Sequence, residues 1–591
     1  MAPPDSAGAT GAVNETGLRV TLPGLDYYRE QISCQAACPV DTDVRGMVTA
    51  IARGEYQAAW DMARQVNPFA AVCGSACSAP CETACRRGSI DTPVAIGPLQ
   101  RFAAEVAGPT ARPFDLAAPE RAPENSRTAF SAFGLSQYRR NFADQRRAGA
   151  QIAVVGSGPA GLTAAHDLAL LGHAVDVFEA TDRAGGMMLR GIPEFVLPRA
   201  VIEAEVAAIL EMPGVQVQFG MRLGEGLDLA ELAANYDAVV LALGDPGQWY
   251  RGTGGPIISV PELVERLRVG KTAEVGRRVV IVGGCNRSIY AARVAARIQR
   301  MAGNPVGVTM VAHRIIGSLE AAREARREGV EIISGHLPDE VSEESGQVSV
   351  PLGPGRGSLS ADLVVLPMGN PQLEAPKTPE LSQLPDNVIA AQSPHADEGV
   401  VYAVAAGHRA AADVEALIQG QSLGVRRDGR MHPVEHSDFS VTGSLTAPAQ
   451  EPEIIPPARR GPFDVVDIGF IATEAQAEAR RCLKCNVNTV FESPRCITCG
   501  DCVDVCPPGC LLLTRPEDAS GAGLDSLLAQ EFGAGLDFQR NSEAASEATL
   551  ILKDDSKCAN CGLCVQICPT DVISFEWFAF SEELDLIKVP A

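Results

Sequence analysis

Apolar positions recur with two different periods along this chain, and the change of period separates its parts. Val44, Met47, Val48 and Ile51 fall at i, i+3, i+4 and i+7, and Tyr56, Ala59, Trp60 and Ala63 repeat that spacing after Gly54. The pattern predicts two amphipathic helices whose apolar stripes form core. From Gln151 the pattern shifts: residues 152–155 are a short apolar run, a helical stretch follows, and a second run spans 174–178. Residues 236–244 (YDAVVLALG) read as another strand, and Val279 to Val282 as one more that leads into a helix. Strands alternating with helices predict α/β Rossmann-like lobes. The earlier helices predict a separate α-helical domain.

The turns between these elements carry chemistry. In QIAVVGSGPAGLTAAHDLALLGHAVDVFEA the first strand runs into Gly156, Gly158 and Gly161, with Pro159 and Ala160 between the last two, and the second strand ends at Glu179. A dinucleotide site uses each part. Gly156 permits the tight turn. Gly158 lets the backbone approach a pyrophosphate at the helix N-terminus. Gly161 allows close packing of helix on strand, and Glu179 accepts a hydrogen bond from a ribose hydroxyl. A second turn, in GRRVVIVGGCNRSIYAARVAARI, has Gly283 and Gly284 followed by Cys285, Asn286 and Arg287.

Cysteine spacing decides the rest. Cys496, Cys499, Cys502 and Cys506 read C-x2-C-x2-C-x3-C-P, and Cys558, Cys561, Cys564 and Cys568 repeat it, with Pro507 and Pro569 next in line. This is the run of bacterial two-cluster ferredoxins, in which the fourth cysteine of each run serves the other cluster. The expected sets are Cys496, Cys499, Cys502 with Cys568, and Cys558, Cys561, Cys564 with Cys506. Zinc also takes C-x2-C pairs, but two complete runs ending in C-P favour iron–sulfur clusters. The 18 cysteines of this 591-residue chain are grouped at such spacings, and no apolar leader opens the sequence. Metal thiolates in a reducing cytoplasm are expected, not disulfides. The absence of an 18-residue apolar run predicts no membrane span. A formal charge of −23 argues against nucleic acid. It is compatible with a solvated surface or with docking on a basic partner.

After Glu179 come Gly185-Gly186-Met187-Met188, then Gly191-Ile192-Pro193-Glu194-Phe195, then Leu197-Pro198-Arg199. Through these segments residues 30 to about 420, with a short piece near 480, resemble the small subunit of bacterial glutamate synthase and the N-terminal half of dihydropyrimidine dehydrogenase. The resemblance implies FAD at the first turn, with Gly185, Gly186 and Gly244 around it. Gln392 and Ser393 stand where the family has Gly-Asp. It implies NAD(P)H at the second turn, on Gly283, Gly284, Asn286, Arg287, His313 and Arg314. There the chain departs from the family. Cys285 replaces a glycine and is expected to crowd the pyrophosphate, Ser288 replaces an alanine, Tyr290 an aspartate, and His313-Arg314 an arginine pair that favours NADPH. A lobe kept only for packing is the other reading.

NPFAAVCGSACSAPCETACRRGSIDTPVAIGPLQRF resembles the same family's helical domain, which carries two [4Fe–4S] clusters and one glutamine ligand. The match implies Cys38, Cys77, Cys81 and Gln100 for one cluster. For the other, the family supplies a C-x2-C pair ahead of Cys34, and this chain has none there. RCLKC at 481–485 is expected to take its place, giving Cys34, Cys85, Cys482 and Cys485. An independent zinc knuckle or free thiols are the alternative. Cys73, Cys285 and Cys510 are spare, and the total is four clusters.

The expected order is a mobile lead-in (1–30), a helical cluster domain (31–108), a linker over the surface (109–148) and an FAD lobe (149–275 and 362–425) interrupted by a nucleotide lobe (276–361). A Pro-rich return arm (426–490) and an α+β ferredoxin module (491–591) complete it. An insertion at 515–552 holds one short helix near 524–532, either a docking surface or a disordered loop. These parts imply conversion between two-electron and one-electron carriers. The expected protein is a cytoplasmic NAD(P)H-linked iron–sulfur flavoprotein oxidoreductase in a hetero-oligomer. Its partner would be a 2-oxoacid oxidoreductase, a glutamate synthase large subunit or a ferredoxin. No Ser/His/Asp or Cys/His constellation marks a separate substrate site. The rival is a non-catalytic electron-wiring or assembly subunit that never meets NAD(P)H.

Overall fold

The computed structural model describes residues 18–20, 22–109, 129–244, 256–268, 275–335, 342–344, 347–353, 355–366, 384–392, 399–434, 441–461, 464–492, 495–524, 526–528 and 549–587. Both N-terminal stripes form helices, Val44–Arg53 and Tyr56–Gln65, and bury the apolar positions named above, with Tyr56 half-buried and edge-on to Phe102. Asp43 caps the first by accepting from the Gly46 amide, and Gly54 ends it at φ +80°. Helices Ala70–Ala76 and Ile96–Ala107 complete this domain. Its core also takes Phe470, Ala475 and Ala479 from the return arm, on or beside helix Ala472–Ala479.

Two five-stranded parallel sheets follow. The first has the order 388–390, 238–241, 151–155, 174–179, 215–219. The second has the order 331–334, 308–312, 279–282, 363–366, 257–259. The expected lobe boundaries therefore shift. Ile257–Ser259 and Leu363–Leu366 lie outside 276–361, yet they pair with each other, and the latter pairs with Val279–Val282.

The segments expected as a mobile lead-in, a surface linker and a return arm all carry regular elements. Leu18–Arg19 pairs with Ala519–Ser520, and helix Leu25–Gln31 stacks Tyr28 on Phe578, so the lead-in is anchored from Leu18 onward. Helix Ala132–Asn141 lies within the expected linker and buries Tyr138 against Glu415. Ser422–Pro433 forms a strand along twelve residues of Ile573–Ile587, whose other edge takes Val487–Phe491. This ladder joins the end of the FAD lobe to the ferredoxin module. In the insertion, Leu524 and Leu528 are buried with Val20 and Leu550, while 529–548 lies outside the described residues.

Candidate redox centres

RCLKC and the first C-x2-C loop of each ferredoxin run use the same backbone turn. Lys484, Thr498 and Asn560, each just before the second cysteine, have φ of 49°, 51° and 50°. Non-glycine residues rarely take this left-handed conformation, so its repetition marks a geometric requirement. It aims an amide at the first sulfur: Thr498 N–H reaches Cys496 Sγ at 3.4 Å, and the Lys484 and Asn560 amides bond the Cys482 and Cys558 sulfurs. RCLKC thus shares its turn with both ferredoxin loops. A second turn also recurs. Two residues past Cys38-Pro39, Cys506-Pro507 and Cys568-Pro569, Asp41, Gly509 and Asp571 have φ of 57°, 59° and 50°. Each amide returns to its cysteine carbonyl, at 2.9, 3.0 and 3.4 Å.

Cys34, Cys85, Cys482 and Cys485 line one cavity. Cys38, Cys77, Cys81 and Gln100 line a second, where Cys73 joins them. Val44 and Ile96 line both, so one layer of side chains separates the two. Cys506, Cys558, Cys561 and Cys564 line a third, and Cys510, expected to be spare, places its sulfur 3.3 Å from that of Cys506. The chemistry of these donors fits a cationic cluster core. Burial, then the facing Cys485, Cys482 and Cys85, push the Cys34 thiol far up, because several thiolates in a dry cavity repel one another without positive charge between them. Among the described residues no three His, Cys, Asp or Glu converge on a single ion. The spread of donors around a central space suits a multinuclear centre. Gln100 donates its amide N–H to the Ala70 carbonyl at 2.7 Å, which leaves its oxygen for the cavity.

The fourth group is Cys496, Cys499 and Cys502; burial, then Cys499 and Cys496, push the Cys502 thiol up. Cys568 ends helix Leu563–Ile567, which packs on helix Asp501–Asp504 carrying Cys502.

Side chains that sequence reading passed over hold these centres in place. Arg87, almost fully buried, donates to the carbonyls of Ser444, Leu445, Ala447 and Arg481. Arg481 pairs with Glu478 and Asp91. Together they seat the return arm beside Cys85. Arg86 donates to the Asp555 and Cys558 carbonyls, and Asn560 donates to the Leu483 and Lys484 carbonyls at 3.2 Å each. That contact presses the first cavity against the third. On the opposite side, Glu205 of the FAD lobe accepts from the Ala71 and Val72 amides at 2.9 and 3.1 Å, and His408 bridges Asp167 and the Val66 carbonyl. The only sequence signal for Glu205 and His408 was polarity inside apolar helices.

At the first dinucleotide turn Gly156 has φ +105°, and a Cβ there would lie 2.3 Å from the Ala242 carbonyl. Space is open beside Gly158, and helix Pro159–Leu170 begins with Pro159, Ala160 and Gly161. Gly186, after Gly185, comes so close that its Cβ would lie 2.8 Å from the Gly158 Cα. Gly244 follows strand Ala238–Leu241 at φ +81°. These residues leave a backbone-lined cradle that fits a pyrophosphate. Glu179 accepts from the amides and hydroxyls of both Ser157 and Thr181, which uses its acceptor sites; a ribose hydroxyl would replace one of these rotatable hydroxyls. Ser393 lies outside the described residues.

At the second turn Cys285, expected to crowd the pyrophosphate, turns its sulfur toward Ser288. Its backbone is ordinary, at φ −80°, and its buried sulfur faces inward, 3.6 Å from Ser288 Oγ, which donates to the Val282 carbonyl. Gly283 makes the bend at φ +98°, and the Arg314 carbonyl packs on Gly284. Asn286 donates to the Ala76 carbonyl at 3.0 Å and accepts from the Ser318 amide at 2.7 Å, tying this turn to the loop of Cys77. Arg287 lies against Gly191 of the flavin segment. Tyr290 is buried edge-on to Phe195, and His313 and Arg314 are exposed.

Comparison with known proteins divides the chain the same way. Residues 28–111 match the family model for dihydropyrimidine dehydrogenase domain II with its 4Fe-4S cluster, 150–377 that for pyridine nucleotide-disulphide oxidoreductase, and 495–572 that for a 4Fe-4S dicluster domain. The NADP(+)-dependent formate dehydrogenase subunit beta of Moorella thermoacetica is 29% identical over 512 residues, 76% of this chain and 70% of the relative. The NADPH-Fe(3+) oxidoreductase subunit beta of Geobacter sulfurreducens is 31% identical over 274 residues, 45% of this chain and 37% of the relative. The NAD-dependent dihydropyrimidine dehydrogenase subunit PreT of Escherichia coli K12 is 28% identical over 415 residues, 66% of this chain and 91% of the relative.

Proposed function

We propose that this chain, an iron–sulfur flavoprotein oxidoreductase by its three domains, is the subunit that takes electrons from NAD(P)H and delivers them singly to a catalytic partner. The observation that carries the reading is the succession of cysteine cavities. The Gln100 cavity is lined by Val401, from the helix that closes the FAD lobe. It shares a wall with the cavity of Cys34, Cys85, Cys482 and Cys485. The latter abuts the Cys558 group through Arg86 and Asn560, and the Cys496 group lies beyond. When bound, FAD exchanges electron pairs for single electrons, and each [4Fe–4S] cluster carries one. Gly156, Gly158, Gly185 and Gly186 would hold FAD, and the four cysteine groups named above, with Gln100 and Cys568, the clusters.

Gly283, Gly284, Asn286 and Arg287 would hold the nicotinamide nucleotide, with Arg314 as the remaining cation near a 2′-phosphate. The inward thiol of Cys285 removes one of the departures on which the non-catalytic alternative rested; those at Tyr290, Gln392 and Ser393 stand. Substrate chemistry would belong to the partner, in keeping with relatives that are themselves named as beta subunits. No helix of the described residues is long and apolar enough to cross a membrane. Clusters held by this many thiolates suit the reducing cytoplasm. The test is anaerobic mixing of the FAD- and iron-loaded protein with NADH and with NADPH. Flavin bleaching by one of them is expected, followed by cluster reduction; bleaching by neither ends the reading.

A further inference from the structure

Among the described residues four cations line the cavity of Cys34, Cys85, Cys482 and Cys485 or that of Cys506, Cys558, Cys561 and Cys564: Arg45, Arg86 and Arg87 the former, Lys553 the latter. Three of them face a carboxylate. Arg87 pairs with Asp91 at 2.6 Å, Lys553 with Asp555 at 2.7 Å, and Arg45 reaches Asp43 at 4.0 Å. Arg86 has no ion pair among the described residues. One of its terminal nitrogens donates to the Asp555 and Cys558 carbonyls, while the Asp555 carboxylate is taken by Tyr27 and Lys553. Its Nε–H is buried and has no hydrogen-bond partner among the described residues. A half-buried guanidinium in this condition is costly unless the cavity also holds something anionic that accepts hydrogen bonds. A cubane held by thiolates is both, and it gains a further negative charge on reduction.

The place of this charge is fixed. Arg86 directly follows Cys85 and opens the 3-10 turn Arg86–Ser89, in which the Ser89 hydroxyl donates to the Arg86 carbonyl at 2.8 Å. Its side chain ends on the carbonyl of Cys558. A single side chain therefore runs from a cysteine of one centre to a cysteine of the next.

We propose that Arg86 sets the reduction potentials of the two adjoining clusters together, that of Cys34, Cys85, Cys482 and Cys485 and that of Cys506, Cys558, Cys561 and Cys564. Its positive charge favours the reduced, more negative state of each, so both potentials stand higher than beside a neutral residue. The inference rests on the relay reading above and concerns the crossing from the helical domain to the ferredoxin module. There one electron leaves the first cluster, which is oxidised by one, and reduces the second by one; no bond forms or breaks. A shared cation moves donor and acceptor in the same direction and so traps the electron on neither.

The test is a potentiometric titration of the iron-loaded holoprotein with dithionite, followed by electron paramagnetic resonance, which needs no nucleotide. The signals lost in Cys482→Ser and in Cys561→Ser identify the two clusters. In Arg86→Gln both midpoints are expected to fall, by about tenfold in the ratio of reduced to oxidised cluster, or about 59 mV for one electron. That is the size a unit charge gives at roughly 12 Å and an effective dielectric of about 20. The Gln100 cluster, whose cavity Arg86 does not line, and the Cys496 cluster should keep their midpoints, and Arg86→Lys should restore the other two. Unchanged midpoints in Arg86→Gln overturn the proposal. So does a fall that Arg86→Lys shares, or one that all four clusters share, since either makes Arg86 a structural clip. Iron content shows whether Arg86→Gln has kept its clusters. Arg86→Met takes its place if it has not, and loss of iron in both neutral variants also overturns the proposal. Failure of nucleotide bleaching with both midpoints shifted would remove the NAD(P)H reading and leave the junction intact.

Discussion

Glu205 offers a quantitative check on how the cluster domain is joined to the FAD lobe. It is fully buried on helix Arg199–Leu210, and its carboxylate accepts the Ala71 and Val72 amides, which are buried as well. Glu205→Ala strands both donors. Each unpaired buried N–H costs about 1–3 kcal/mol, so the contact should weaken by roughly 2–6 kcal/mol. At about 1.4 kcal/mol per decade, opening of the segment 70–76 should become roughly thirtyfold or more easier. Burial, against the opposing pull of Arg64 and the two amides, pushes the Glu205 carboxyl up to about 7 from 4.5. The folded state thus holds its proton more tightly than the unfolded chain. The contribution is fully present below pH 4.5 and declines as pH rises to about 7, by roughly 3 kcal/mol at most. Hydrogen exchange of the 70–76 amides is the appropriate assay, since a multidomain chain need not unfold as one unit. Faster exchange is expected in Glu205→Ala, and a flattened pH dependence between 4.5 and 7 in Glu205→Gln. Exchange unchanged in the alanine variant, or a pH slope preserved in the glutamine variant, would refute the argument.

Other outcomes follow from the same geometry. Cys482→Ser should lower iron from about 16 to about 12 per chain and leave the ferredoxin signals in place; if only those signals change, the return arm does not complete an N-terminal cluster. Cys285→Gly should leave nucleotide affinity within about twofold, a shift well under the 1.4 kcal/mol of a decade, because the thiol faces Ser288; a tenfold gain in titration would mean that the side chain turns toward the ligand. Gly156→Ala forces a Cβ to 2.3 Å from the Ala242 carbonyl at a positive φ, so purified protein should retain little FAD by absorbance. Stoichiometric flavin in that variant would exclude the first turn as the binding site.

The chemistry of this chain was more legible than its assembly. Thiol and glycine spacings are local signals, so the two ferredoxin runs and the turn at Gly156, Gly158 and Gly161 could be read directly. The distant pair Cys482 and Cys485, which lines a cavity with Cys34 and Cys85, could be singled out because RCLKC has a ligand loop's form and the place ahead of Cys34 lacks one. The ladder between Ser422–Pro433 and Ile573–Ile587 was not visible. SLGVRRDGRMHP lacks apolar alternation, and its partner lies about 150 positions later. The helix Leu25–Gln31 escaped notice because nothing local stabilises seven residues; Phe578 does, from the far end of the chain. The turn of the Cys285 thiol toward Ser288 was not legible because a sequence gives a side chain's identity without its direction. The contacts of Arg86, Arg87 and Glu205 were hidden for the same reason. Surface composition permits an arginine anywhere, and only the packed neighbours reveal which carbonyls it serves.

If Cys34, Cys85, Cys482 and Cys485, which line one cavity, hold one cluster as proposed, the split set has a consequence for biosynthesis. Cys85 emerges from the ribosome 397 positions before Cys482. At roughly 5–20 residues per second, the wait is about 20–80 s. During that interval both flavin and nucleotide lobes are made while Cys34 and Cys85 stand half-equipped. Iron delivery to a cluster held in this way would be late, and a truncated translation product would lack two of its four cysteines.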